Sequence, residues 1–174
     1  MSGHQYENEV AKNIYYGTDS NIYPMRVGYS GNGAYPCADV SVFDHNTSIL
    51  HHLEIKHVSS DTASIEEESD LQQLDQLRGP NAQAWLVVKF SRRAPVTIPL
   101  LNHREKEFDT IADRVVFTME KMDLPDGFNP RVNTSKSGIT RLYIDKPSLD
   151  GWVSASEAKE DYNEILSSMG LNNG

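Results

Sequence analysis

The run Ala84-Trp-Leu-Val-Val-Lys-Phe90 is almost continuous in apolar residues. A strand with one wet face alternates apolar and polar residues, whereas an unbroken run reads as a central strand covered on both faces. A chain holding such a strand must place covering layers on either side of a sheet, and the flanking segments are of the right kind. Residues 4–16 set Glu7, Val10, Ala11 and Ile14 at helical spacing. Residues 64–78 set Leu71, Leu74 and Leu77 on a second expected helix, opened by the Ser64-x-x-Glu67 capping pattern and stopped at Gly79-Pro80. Residues 22–28 read as a strand, with Pro24 marking an edge or a bulge. Residues 38–45 and 49–58 read as a hairpin about the turn-like His45-Asn46-Thr47-Ser48. The expected fold class is α/β, a central mixed β-sheet flanked by helices, with the order αβββαβ and then a mixed tail. In that tail Val115-Val-Phe117 and Ile139-Thr-Arg-Leu-Tyr-Ile144 look like strands, and Asp126-Gly127 and Ser137-Gly138 mark turns. Residues 154–169 read as a last helix opened by Ser154-x-x-Glu157, and Trp85 and Trp152 as core.

The hairpin has a chemical consequence. If it is symmetric about Asn46-Thr47, residues whose numbers sum to 93 pair across it, and Asp39 then lies opposite Glu54. Their Cβ atoms would be roughly 5 Å apart, and like charges so placed destabilise a hairpin unless a cation lies between them. In Leu53-Glu54-Ile55-Lys56-His57, Leu53 and Ile55 share one face of the strand, and Glu54 and Lys56 share the other. Glu54 and Lys56 alone would be a surface ion pair worth under ~1 kcal/mol. With Asp39 opposite, the cheapest explanation is a hard divalent metal with Lys56 beside it. The helical period adds Glu7, a carboxylate on the inward stripe of the first helix, which is costly unless paired or metal-bound.

The chain has 174 residues, which suits one domain (1–174) with a full core. One cysteine, Cys37, excludes an internal disulfide and points to a reducing, cytoplasmic setting. The polar N-terminus does not resemble a signal peptide, and no apolar run approaches the ~20 residues of a membrane span. The net charge of −9 argues against nucleic acid at first sight, but it is unevenly spread. Residues 1–77 carry 3 basic and 12 acidic side chains, residues 78–146 carry 12 and 8, and residues 147–174 carry 1 and 5. The middle segment can face a polyanion. The acidity also suits a protein from a very salty cytoplasm, that of a halophilic archaeon or the host of its virus, where charges are screened within a few ångströms.

The ordered set of acidic residues resembles the PD-(D/E)xK nuclease superfamily, and within it the archaeal Holliday junction resolvases. Gly3-His-Gln-Tyr-Glu7 is similar to the family's glycine and catalytic glutamate on the first helix. Arg26 and Ser30 in Arg-Val-Gly-Tyr-Ser-Gly are similar to its arginine and serine in a glycine-rich loop. Asp39, then Glu54 and Lys56, match the aspartate and the Glu-x-Lys pair, and Gln73 the glutamine of the next helix. The likeness covers residues 3–93, and Pro36 precedes Asp39 with Cys37 and Ala38 between them. The resemblance implies a restriction-endonuclease-like fold, with the C-terminal strands and helix completing the sheet and a dimer interface. It implies Mg²⁺, with Mn²⁺ as a substitute, held by Glu7, Asp39, Glu54 and the Ile55 carbonyl. Lys56 would orient or deprotonate the attacking water, Ser30 would hold the scissile phosphate, and Gln73 would stand behind the site. A homodimer would cut two strands of branched DNA, in DNA recombination and repair. Arg26, Arg92, Arg93, Arg131, Lys136, Arg141 and Lys146 are the expected backbone contacts.

Plainer readings exist for several of these residues. Ser30 among glycines is ordinary turn chemistry, and Gln73 suits a solvated helix face. His51, His52 and His57 read as surface or supporting residues, since no Cys or His spacing points to zinc. Glu66-Glu67-Glu68 reads as a solvated first helical turn favoured by the helix dipole. Two other functions fit the same residues: a restriction or repair nuclease of the same superfamily, and a non-catalytic DNA-binding module.

Overall fold

A computed structural model describes residues 3–26, 35–148 and 158–171. The chain forms α1 (Gly3–Gly17), β1 (Ile22–Arg26), β2 (Val40–Asp44), β3 (Ile49–Val58) and β4 (Thr62–Glu66). A π-helical turn (Glu67–Gln72) then runs into the short α2 (Gln73–Gln76), followed by β5 (Ala82–Phe90) and β6 (Val96–Pro99). The remaining elements are α3 (Ile111–Glu120), β7 (Pro130–Thr134), β8 (Thr140–Asp145) and α4 (Ala158–Ser168).

The expected α/β class is present. Five strands form a sheet in the order β1-β2-β3-β5-β6, and it is mixed because β3 and β5 run parallel while their neighbours are antiparallel. The parallel step needs a long crossover, and the chain spends it on β4, the π-helical turn and α2. A second, antiparallel sheet has the order β4-β8-β7.

The five-stranded sheet is covered on both faces. On one side Tyr6, Val10 and Ile14 of α1 and Ile165 and Leu166 of α4 pack on Val40, Val42, Leu53, Ile55 and Val87. On the other side Leu71, Leu74, Ala112, Val115, Met119, Leu142 and Ile144 pack on Leu86, Val88, Phe90 and Ile98. β5, between β3 and β6, is buried from Ala84 to Phe90, as its sequence requires. Its one charge, Lys89, pairs with the fully buried Asp161 of α4 at 2.9 Å, and Asp161 also accepts from the Tyr6 hydroxyl at 2.8 Å. β1 with Pro24 is the sheet edge, where a missing N–H is tolerated.

The hairpin register is the expected one: Val40 pairs with Leu53 and Ser41 with His52, so partner numbers sum to 93. Asp44 closes the turn by accepting from the Asn46 N–H (2.9 Å) and the Thr47 hydroxyl (2.8 Å).

Four expectations are corrected. Residues 64–78 are not one helix. Ala63 and Ile65 alternate with exposed or half-exposed neighbours, so 62–66 is strand β4, and Ser64 pairs with Tyr143 instead of capping a helix. Val115–Phe117 lies in α3, because Ala112, Val115 and Met119 keep helical spacing and bury together. Glu67 is buried and its two oxygens accept the Ile111 and Ala112 N–H groups at 2.9 and 2.8 Å, so it caps α3 from a distance and is not solvated. His51 is buried and accepts from the Trp85 indole at 3.0 Å. Ser30, Trp152 and Ser154-x-x-Glu157 lie outside the described residues. Among the described residues no helix is long and apolar enough to cross a membrane.

Candidate active site

Glu7, Asp39, Glu54, Ile55, Lys56 and Gln73 line one polar cavity of about 250 Å³. Three layers meet there. Asp39 precedes β2, Glu54 and Lys56 point from β3 toward the crossover, and α1 brings Glu7 to the same cavity. The π-helical turn and α2 form the far wall with Ser69, Asp70, Gln73 and Leu74, and His4 and Cys37 complete the rim.

Asp39 continues the hairpin by one residue, and its Oδ2 accepts the Ile55 N–H at 2.9 Å. Asp39 and Glu54 lie within side-chain hydrogen-bond reach of each other, an arrangement that disfavours ionisation of both. Burial, and then the Asp39 charge, push the Glu54 carboxyl up to about 9. Burial and Asp39 also raise Glu7, against the opposing pull of Arg26 and His4. Arg26 Nη2 lies 3.4 Å from Glu7 Oε2 and 3.3 Å from His4 Nδ1. Lys56 Nζ is 3.0 Å from Asp70 Oδ1 and 3.9 Å from Glu54 Oε1. Burial works against its charge, but Asp70 and Glu54 outweigh that, and the ammonium stays above its ordinary pKa.

Oxygen-only donors and two carboxyls held above their usual range fit a hard divalent cation, which would favour their ionised forms. The donors are not yet gathered around one point. Among the described residues no three His, Cys, Asp or Glu side chains are arranged to hold an ion. Glu7 is engaged by Arg26, and Asp39 by Ile55 and Glu54.

Of the expected DNA contacts, Arg26 stands at the site itself. Arg92 is exposed in the turn after β5, whereas the Arg93 guanidinium bonds the Pro147 carbonyl at 2.8 Å. Arg131 pairs with Asp145 (2.8 Å) and Lys146 with Asp61 (3.0 Å). Lys136 is exposed in the β7–β8 turn, and Arg141 is half-buried opposite Glu66.

Asp70 was not legible as a site residue, because a straight α-helix over 64–78 leaves its direction open. The one signal was the need of Lys56, on a half-buried strand face, for a second acid.

No family model matches this chain, and no curated protein matches it. Among solved structures it is similar to Hjc, a Holliday junction resolvase from the archaeal hyperthermophile Archaeoglobus fulgidus. The TM-score is 0.46 and the identity 22%, over 60% of this chain and 84% of that one.

Proposed function

We propose that this chain is a Mg²⁺-dependent, structure-selective DNA endonuclease that resolves Holliday junctions. The observation that carries the chemistry is the single cavity lined by Glu7, Asp39, Glu54, Ile55 and Lys56, where burial and Asp39 disfavour the charge of Glu54. The ordered motif from Glu7 to Gln73, which resembles archaeal resolvases, supports the choice of substrate.

Glu7, Asp39, Glu54 and the Ile55 carbonyl would hold the metal. Bound there, it supplies neutralisation of the phosphodiester charge and a more acidic water. Lys56 orients the water that attacks phosphorus and offsets the charge of the transition state. Arg26, paired with Glu7 here, would be placed to meet a phosphate if Glu7 held the cation instead. Ser30 holds the scissile phosphate, and Gln73 supports the wall behind Lys56. Arg92, Lys136 and Arg141 lead the DNA backbone toward the cavity. A homodimer presents two such sites and cuts the two strands symmetrically. A non-catalytic module is disfavoured, because a buried carboxyl pair lowers stability with no return unless a cation is bound.

The test compares cleavage of a labelled four-way junction, its linear duplex arms and single strands, with Mg²⁺ or EDTA, across salt up to molar concentrations. Metal-dependent cutting confined to the junction is expected. Equal cutting of duplex would replace the resolvase reading by a restriction or repair nuclease.

A further inference from the structure

Asp70 is fixed at both ends. Its Oδ2 accepts the Glu66 N–H at 2.8 Å, across the start of the π-helical turn, and its Oδ1 takes the Lys56 ammonium at 3.0 Å. π-helical turns often occur at functional sites, and this one runs from Glu67 to Gln72 against the cavity. Lysine is a flexible stem with a compact charge. Without Asp70 the nearest carboxyls left to Lys56 are Glu54 at 3.9 Å and, beside Glu54, Asp39.

We propose that Asp70 is the positioning residue for Lys56, holding the ammonium against the crossover wall and off the Asp39–Glu54 carboxyls. The two oxygens of Asp70 divide the work: one is anchored by backbone and the other carries the lysine. A lysine released from Asp70 moves onto the carboxyls that a cation needs, so metal affinity and the chemical step fall together while DNA binding does not. The inference rests on the metal-dependent hydrolase reading of the same cavity.

The experiment titrates Mn²⁺ alone by calorimetry into the full-length wild type, D70N, K56M and D70N/K56M, and measures junction cleavage by wild type, D70N and D70E. Asn retains an oxygen for the Glu66 N–H. D70S, whose hydroxyl can accept the same N–H, stands in if D70N melts early. D70N is expected to bind Mn²⁺ roughly ten- to a hundredfold more weakly and to lose kcat by a similar factor. KM for the junction should stay within about threefold, and D70E should recover part of kcat. In the K56M background D70N should cost less than about threefold, because the lysine it controls is gone. An equal loss of Mn²⁺ affinity in both backgrounds, or none in the wild-type background, overturns the role of Asp70 and leaves the metal site standing. Absence of Mn²⁺ binding by the wild type overturns the metal site, and with it this role.

Discussion

Replacing Glu54 by Gln in the metal-free protein should stabilise it at neutral and alkaline pH. In the folded chain burial and Asp39 hold the Glu54 carboxyl near 9, against an ordinary value of 4.5. A group whose folded pKa is raised contributes stability below its unfolded pKa, and that contribution is lost as pH rises toward the folded value. Between about pH 4.5 and 9 the folded state keeps a proton that the unfolded chain has released, so each pH unit costs about 1.4 kcal/mol. At pH 7 the accumulated loss is about 3 kcal/mol, the scale set by a side chain only 16% exposed. Gln has nearly the shape of the protonated acid and can donate to Asp39, but it has no proton to lose. E54Q should therefore match the wild type near pH 4.5 and exceed it by about 3 kcal/mol at pH 7, or roughly 6–12 °C in Tm for a chain of this size. The assay is urea unfolding in EDTA at half-unit steps from pH 4.5 to 8.5. Mn²⁺ at roughly a thousand times Kd should then reverse the order, since an ion that binds only the folded state adds ~4.1 kcal/mol there. Parallel pH profiles for the two proteins would refute the raised pKa of Glu54 on which the reasoning rests.

Asp39→Asn should lower junction cleavage at least roughly 10²-fold while leaving gel-shift binding of the junction and the circular-dichroism spectrum unchanged. Lys89→Met leaves the buried Asp161 without its ammonium partner, and urea unfolding should show a loss of about 3–5 kcal/mol. Glu67→Ala exposes two orphan N–H groups at the start of α3 and should cost about 1–2 kcal/mol by the same measurement, with Glu67→Gln losing less.

Much of this architecture was written in local periodicity. Alternation on both sides of a four-residue turn specified the hairpin register to the residue, and the unbroken Ala84–Phe90 run marked the strand that both layers cover. Helical spacing on α1 turned Glu7 inward without any tertiary information. The misread segments are those where two signals compete. Ser64-x-x-Glu67 imitates a cap, yet Thr62–Glu66 alternates as a strand and Glu67 works 44 residues away on Ile111. The β-branched pair Val115-Val116 favours a strand by propensity, but the core-facing period of α3 overrides it. Lys89 with Asp161, and Lys56 with Asp70, bring together charges that no local pattern links. Cavity-lining residues carried by regular strands and helices were therefore readable, and the Asp70 of the π-helical turn was not.

β3 has a consequence for how a defective copy of this protein fails. Its odd-numbered residues Leu53 and Ile55 belong to the α1–α4 core, and its even-numbered Glu54 and Lys56 belong to the cavity. Strand faces alternate with period two, so a slip of one residue against β2 or β5 exchanges the two sets. The slipped chain would press two charges into oil and turn two large aliphatic side chains to water. Misregistration is therefore self-reporting: it yields an unfolded chain that proteases can clear, not a well-folded copy with a scrambled cavity.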